Sequence, residues 1–265
     1  MNTNARATPA IGMIPARLGS TRFPRKVLAR KTGHAMIRHV WDAAKRATSL
    51  SRVVIATDSK EVFDEVQAFG GEAVMTRTVH ANGTSRLAEA ATALRLPADA
   101  LVVNVQGDEP EMDAEVIDAA VELAREGRAE VATVASPFQA GEDPANPNLV
   151  KVVTRADGLA LYFSRSLIPY PRDAASAAAS HGTGEPFHRK PLKHVGLYVY
   201  RVDFLLKYAA MPASPLEITE MLEQLRVLDA GYRIAVAVRN VTTTGIDTPE
   251  QYEEFVRRWG ERGAD

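Results

Sequence analysis

Four cations fall within ten residues near the start of the chain: Arg17, Arg22, Arg25 and Lys26, interleaved with Gly19, Ser20 and Thr21. Glycine and small hydroxyl residues let main-chain N–H groups close on an anion while guanidinium and ammonium groups neutralise it, which is the chemistry of a phosphate grip. A second segment, Asn104-Val105-Gln106-Gly107-Asp108-Glu109-Pro110, ends in adjacent acids. Mg²⁺ takes one or two carboxylates and completes its shell with phosphate oxygens and water, so Asp108 is a candidate ligand. Asp247, in Gly245-Ile246-Asp247-Thr248-Pro249, is a second. Each feature also has a plainer reading: a solvated basic loop, a turn built on Asp-Glu, and an Asp247 that N-caps the helix opened by Pro249. Neither G-x-x-x-x-G-K-[ST] nor G-x-G-x-x-G occurs, so the grip on phosphate is of another kind.

These residues need elements to position them. Both loops follow apolar runs that read as buried strands, Ala10–Ile14 and Ala100–Val105. Further strands are expected at Arg52–Thr57, Glu72–Met75 and Glu130–Ala135, with helices at His34–Ala47, Lys60–Phe69, Thr84–Leu94 and Ala114–Glu126. Such alternation predicts an α/β fold, a mostly parallel twisted sheet with helices on both faces. Loops at the carboxyl ends of such strands converge on one crevice, where the basic loop and the acidic loop can share a nucleoside triphosphate and its metal. That is the layout of a nucleotidyltransferase. The second half is less regular: strands at Val150–Thr154, Leu159–Phe163, His194–Tyr200 and Arg233–Val238, a helix after Ser214 and a last helix from Pro249. The Ala-, Ser- and Gly-rich stretch 173–189 reads as a mobile surface loop.

Composition narrows the classes. The chain has 265 residues, 46% of them hydrophobic, enough for a sizeable core in a single domain across 1–265. Net charge is −1 from 32 basic and 33 acidic residues, so no basic field exists to hold a nucleic-acid backbone. The absence of cysteine excludes disulfides and thiolate metal sites and fits a reducing compartment. Residues 1–9 are polar, expected to be disordered, and lack the apolar run of a signal peptide. No stretch approaches the roughly 20 apolar residues of a membrane span. The expectation is a cytoplasmic protein without membrane or nucleic-acid partners.

These segments bring a family into view. From about Ile11 to Val256 the chain resembles the 3-deoxy-manno-octulosonate (Kdo) cytidylyltransferases, the CMP-Kdo synthetases of Gram-negative bacteria. The resemblance is carried by Pro15-Ala-Arg…Ser20-Thr-Arg…Pro24…Lys26, Thr76-Arg77, Gly83-Thr84 with Arg86-Leu-Ala-Glu89, and Asn104-Val-Gln-Gly-Asp-Glu-Pro110. Further on it rests on Asn146-Pro-Asn148, Val150-Lys-Val-Val153, Ala160-Leu-Tyr-Phe-Ser-Arg165, Ile168-Pro169 and His194…Gly196…Tyr198. Ser214-Pro-Leu-Glu217, Glu220, Leu222-Glu-Gln-Leu-Arg226 and Gly245-Ile-Asp-Thr-Pro249 complete it.

The resemblance implies a nucleotide-diphospho-sugar transferase fold, Rossmann-like, with a smaller β-rich lobe for sugar binding and dimerisation. It implies transfer of CMP from CTP to the anomeric hydroxyl of Kdo, releasing pyrophosphate, in lipopolysaccharide biosynthesis by a homodimer. Arg17 and Lys26 would hold the CTP phosphates, with Pro15, Ala16, Arg77 and Thr84 framing the cytosine. Gln106 would contact ribose or sugar, and Asp108 with Asp247 would hold Mg²⁺; Arg17, Lys26, Asp108 and Asp247 would form the catalytic group. Arg22, Arg165, His194, Tyr198, Glu217 and Glu220 would meet the sugar acid, whose carboxylate needs a cation and whose hydroxyls need acceptors.

Read from the residues alone, His194 and Tyr198 also suit a β-strand core, and Glu217, Glu220 and Glu223 at spacing three suit one solvated helix face. Met221, Leu222, Leu225 and Leu228 form an apolar stripe that reads as core or subunit contact. Two positions depart from the family pattern: Arg25 stands where glycine is usual and Ser85 where an acid is usual. A different sugar-acid acceptor, such as an amino-Kdo or a sialic-acid relative, a sugar phosphate, or a nucleotide-binding regulator without turnover, are the alternatives.

Overall fold

In the computed structural model, which describes residues 8–20, 22–80, 82–172, 190–242 and 245–262, the first half winds as the alternation predicts. β1 (Ala10–Ala16) leads through a 3₁₀ turn (Lys26–Leu28) to α1 (Met36–Lys45), then β2 (Leu50–Thr57), α2 (Lys60–Ala68), β3 (Glu72–Met75), α3 (Gly83–Ala93), β4 (Leu101–Asn104) and α4 (Ala114–Arg125). The second half comprises β5 (Val131–Pro137), β6 (Lys151–Thr154), β7 (Ala160–Ser164), β8 (Leu192–Arg201), α5 (Val202–Ala209), α6 (Pro215–Glu220), α7 (Leu225–Asp229), β9 (Ile234–Val238) and α8 (Pro249–Arg262). The expected disorder of residues 1–9 lies outside the described residues except at Thr8 and Pro9, and the expected loop at 173–189 lies wholly outside them.

The strands form one sheet in the order β3-β2-β1-β4-β8-β5-β9. The block β3-β2-β1-β4 is parallel, as is β5 with β9, whereas β8 runs antiparallel to both β4 and β5. The sheet is therefore mixed and mostly parallel along its path. β6 and β7 form an antiparallel hairpin that pairs with β8, so the β-rich part extends the main sheet instead of forming a separate lobe.

Alternate residues of the central strands feed two cores. Ile14, Val53, Ile55, Leu101 and Val103 pack with α1, α2 and α4, whereas Met13, Val54, Val102 and Tyr200 pack with α3, α5 and α7. Strands buried on both faces read as continuous apolar runs, which is why β1, β2 and β4 stand out in the sequence. A third cluster of Met36, Ile246, Tyr252 and Phe255 pins α8 to α1 and draws the β9–α8 loop to the head of the sheet.

Candidate active site

Strand order reverses direction of winding at β1, with β2 on one side and β4 on the other, so the loops after β1 and β4 bound a crevice. Gly107 brings them together: a Cβ there would lie 2.7 Å from the Pro15 carbonyl oxygen, a contact no other residue type accommodates without moving backbone. The β9–α8 loop closes the third side, its Ile246 N–H donating to the Asp108 carbonyl at 2.8 Å. The result is a cleft of about 660 Å³ lined by Pro15, Ala16, Arg17, Gly19, Ser20, Arg22, Lys26, Gln106, Asp108 and Asp247, with His80, Asn82, Arg86 and Glu223 on the opposite wall.

At the head of the cleft Lys26 Nζ donates to Asp108 Oδ2 at 2.8 Å, to the Ile246 carbonyl at 2.9 Å and to Asp247 Oδ1 at 3.0 Å. Arg22 donates to the other Asp247 oxygen, Oδ2, at 2.8 Å. The helix cap does not consume Asp247. Thr248 is the cap, accepting from Gln251 N–H, while Gln251 Oε1 accepts from the N–H groups of Thr248 and Asp247. This reciprocal capping box leaves the Asp247 carboxylate to face the cleft.

Three oxygens from two segments, one from the loop after β4 and two from the β9–α8 loop, thus surround one cationic centre, a donor set of the hard-oxygen kind that Mg²⁺ prefers. Among the described residues no group of three or more His, Asp or Glu side chains forms a self-sufficient metal cage. Two carboxylates suit an ion that shares its shell with substrate phosphates. Beside them, burial pushes the Glu109 carboxyl up to about 8, reinforced by the negative charge of Asp108.

The other wall carries Glu223 and Arg86, to which the sequence assigned no site role; Gln106 reaches behind the cleft to β8, whose His194 and Tyr198 do not line it. Glu223 accepts from Thr84 Oγ1 at 3.0 Å and lines the cleft, its carboxyl raised by burial. Arg86, 4% exposed, is fixed by Asp58 at 2.8 Å and Thr76 at 2.5 Å. Gln106 donates to the Gly196 carbonyl at 3.0 Å, tying the acidic loop to β8. His194 and Tyr198 lie on the same face of β8 as Gly196, with ring centroids 5.3 Å apart. His194 Nε2 is 3.0 Å from Thr133 Oγ1, and burial holds the imidazole down to about 3. Burial raises the Tyr198 hydroxyl well above its usual range.

Several expected site residues are engaged elsewhere. The helix after Ser214 breaks at Met221, whose φ of 53° is left-handed, so the Glu217, Glu220 and Glu223 carboxylates do not share a face. Glu217 completes the Ser214 capping box and makes a two-pronged ion pair with Arg226, at 2.6 Å and 2.5 Å. Glu220 accepts from Ser164 Oγ at 2.6 Å and from Arg165 N–H at 2.9 Å. The Arg165 guanidinium donates to the carbonyls of Glu220, Pro147 and Met221. None of the three lines the cleft. Arg77 faces a neighbouring groove, where it pairs with Glu89 at 3.2 Å.

Both departures from the family pattern have local accounts. Arg25 adopts the left-handed conformation that favours glycine, at φ 58°, and its guanidinium pairs with Glu61 of α2 instead of facing the cleft. Ser85 donates through Oγ to the Asn82 carbonyl at 3.0 Å, and its N–H meets Asn82 Oδ1 at 2.9 Å, closing the start of α3.

Comparison with known proteins agrees with this geometry. The cytidylyltransferase family model matches residues 11–234. The 3-deoxy-manno-octulosonate cytidylyltransferase of Syntrophotalea carbinolica is 46% identical over 244 residues, spanning 90% of this chain and 93% of its own length. That of Neisseria gonorrhoeae is 46% identical over 247 residues, 93% of this chain and 96% of its own. A solved CMP:2-keto-3-deoxy-manno-octonic acid synthetase, complexed with CTP, superposes with a TM-score of 0.86 at 39% identity, covering 96% of this chain and all of that one (100%). 4-Diphosphocytidyl-2C-methyl-D-erythritol synthase shares the fold alone, with a TM-score of 0.60 at 12% identity over 94% of this chain and 98% of its own. On its length, identity and cleft architecture, the chain belongs to the 3-deoxy-manno-octulosonate cytidylyltransferase family.

Proposed function

We propose that this protein transfers CMP from CTP to the anomeric 2-hydroxyl of Kdo, forming CMP-Kdo and pyrophosphate. One observation carries the reading: Lys26, Asp108 and Asp247 converge at the head of a cleft whose mouth is the Arg17–Arg22 loop. Cations for a triphosphate and paired carboxylates for a divalent ion meet at one point, as nucleotidyl transfer requires.

In this reading Pro15 and Ala16 present main-chain groups to the base, and Arg17 with the Gly19–Ser20 backbone receives the triphosphate. Gln106, held by the Gly196 carbonyl, orients the sugar side of the cleft. The acceptor lies toward β8, over His194 and Tyr198, with Glu223 accepting from its hydroxyls and Arg22 near its carboxylate. The 2-hydroxyl oxygen attacks the α-phosphorus in line, the α–β bridging bond breaks, and pyrophosphate leaves. No enzyme-bound intermediate is needed, because the acceptor oxygen is itself the nucleophile. Catalysis then rests on positioning and fixed charge, with Arg17 and Lys26 offsetting charge on the departing phosphates. A Mg²⁺ ion on Asp108 and Asp247 supplies Lewis-acid stabilisation of the α-phosphate when bound.

No helix among the described residues is long and apolar enough to cross a membrane. We place the reaction in the cytoplasm and the protein in a homodimer; exposed Ile218 on α6 and Met221 just beyond its end support a subunit contact there. Product analysis by NMR with CTP and a panel of acceptors tests the assignment. CMP-Kdo should form with Kdo, and an amino-Kdo, a sialic acid and a sugar phosphate should give no more than trace product. A faster reaction with one of those would move the acceptor.

A further inference from the structure

Lys26 has three N–H donors and spends all three inside the carboxylate site, on Asp108 Oδ2, Asp247 Oδ1 and the Ile246 carbonyl. The side chain is only 12% exposed, and Ile246 is buried in the α1–α8 cluster, so these partners are held by the fold. In this arrangement the ammonium stands at the point on which the two carboxylates converge, and no donor remains for a phosphate. Arg22 also reaches Asp247, but with 67% of its side chain exposed its charge is largely screened by water.

One set of oxygens thus has two claimants, a lysine and a divalent cation, which repel each other at such a distance. The same lysine lines the cleft that a triphosphate would enter past Arg17 and Arg22. We propose that Lys26 is a resident counter-cation that keeps divalent metal off Asp108 and Asp247, and that nucleotide admits the metal by drawing the ammonium onto its phosphates. This rests on the reading of the two carboxylates as the metal site. Metal and nucleotide then bind with positive coupling beyond what shared phosphate oxygens provide, and by linkage each raises the other's affinity by the same factor. The exchange also restrains free metal from occupying the site without substrate.

Mn²⁺ serves as the probe, with free ion read by electron paramagnetic resonance. Without nucleotide, Lys26→Met and Lys26→Gln should each bind Mn²⁺ at least tenfold more tightly than wild type, and adding Asp108→Asn should abolish the gain. Mn²⁺ should also raise the melting temperature of both variants while leaving wild type unchanged. Equal or weaker affinity in the variants would overturn the proposal. So would wild type that binds Mn²⁺ as tightly without CTP as with it, a result that depends on no variant folding. Mn²⁺ binding indifferent to both Lys26 and Asp108, in an enzyme that still releases pyrophosphate from CTP and Kdo, would sink the proposal and spare the transferase reading. A tenfold gain in Lys26→Met with no turnover in wild type would do the reverse.

Discussion

At the scale of single residues, the carboxylates of the Ser214–Arg226 stretch divide between fastening the fold and lining the cleft. Glu217 and Arg226 form a two-pronged pair with both side chains 11% exposed, so removing one partner leaves an uncompensated buried charge. Glu217→Ala should cost about 3 kcal/mol of stability in urea melts. Glu223→Gln, by contrast, should raise the KM for the acceptor severalfold with the melting temperature near wild type. A raised acceptor KM for a stably folded Glu217 variant would return that residue to the site. Asp108→Asn should lower kcat at least about a hundredfold, the scale of losing a fixed charge at a developing anion, with native circular dichroism. Wild-type turnover in that variant would remove Asp108 from the mechanism. Residue types and spacing singled out Lys26, Asp108 and Asp247 as candidates, because a cluster of cations and an acid after a buried strand announce themselves, and the fold brings the three together. The family resemblance, not the spacing, offered Glu217 and Glu220 as sugar contacts, and nothing in the sequence reveals that Met221 takes a left-handed turn and sends successive carboxylates to different neighbours.

At the scale of elements, the site depends on how loops are fastened. The Thr248–Gln251 box starts α8 and frees Asp247, and its signature, a threonine followed three residues later by glutamine, stands in the sequence. Thr248→Val should cost about 1 kcal/mol of stability, read by chemical denaturation, and should also slow turnover because Asp247 loses its fixed approach. An unchanged rate would detach the cap from the chemistry. Strands and most helices were legible for a physical reason: β1, Val53–Ala56 of β2 and Leu101–Val103 of β4 are continuous apolar runs, and α1, α2 and α4 carry one apolar stripe each. α5 was missed because Val202–Ala209 follows β8 without a break, its apolar residues continuing those of the strand. That the β6–β7 hairpin joins the main sheet through β8 was not legible, since pairing partners of a hairpin cannot be deduced from its own sequence.

At the scale of the whole molecule, two buried histidines set the acid limit of stability. Burial holds His39 down to about 4, between Thr32 and the rings of Phe255 and Trp259, and His194 down to about 3. Both are neutral when folded and titrate near 6.5 when unfolded, so the unfolded chain takes up protons first as pH falls. The contribution of these two histidines to stability is therefore complete above about pH 6.5 and declines from there toward pH 4 and below. The urea midpoint should drop across this range, and His39→Gln should flatten part of the slope; a midpoint constant from pH 7 to pH 4 would contradict the burial of both rings. The same architecture, three loops drawn to one end of a mixed sheet, makes the central claim one of reaction class. Pyrophosphate release by the purified protein with Mg²⁺, measured for CTP, UTP, ATP and GTP with and without Kdo, tests it most directly. Release should occur only when CTP and Kdo are present together; CTP binding with no release in any combination would contradict a cytidylyl transfer to Kdo.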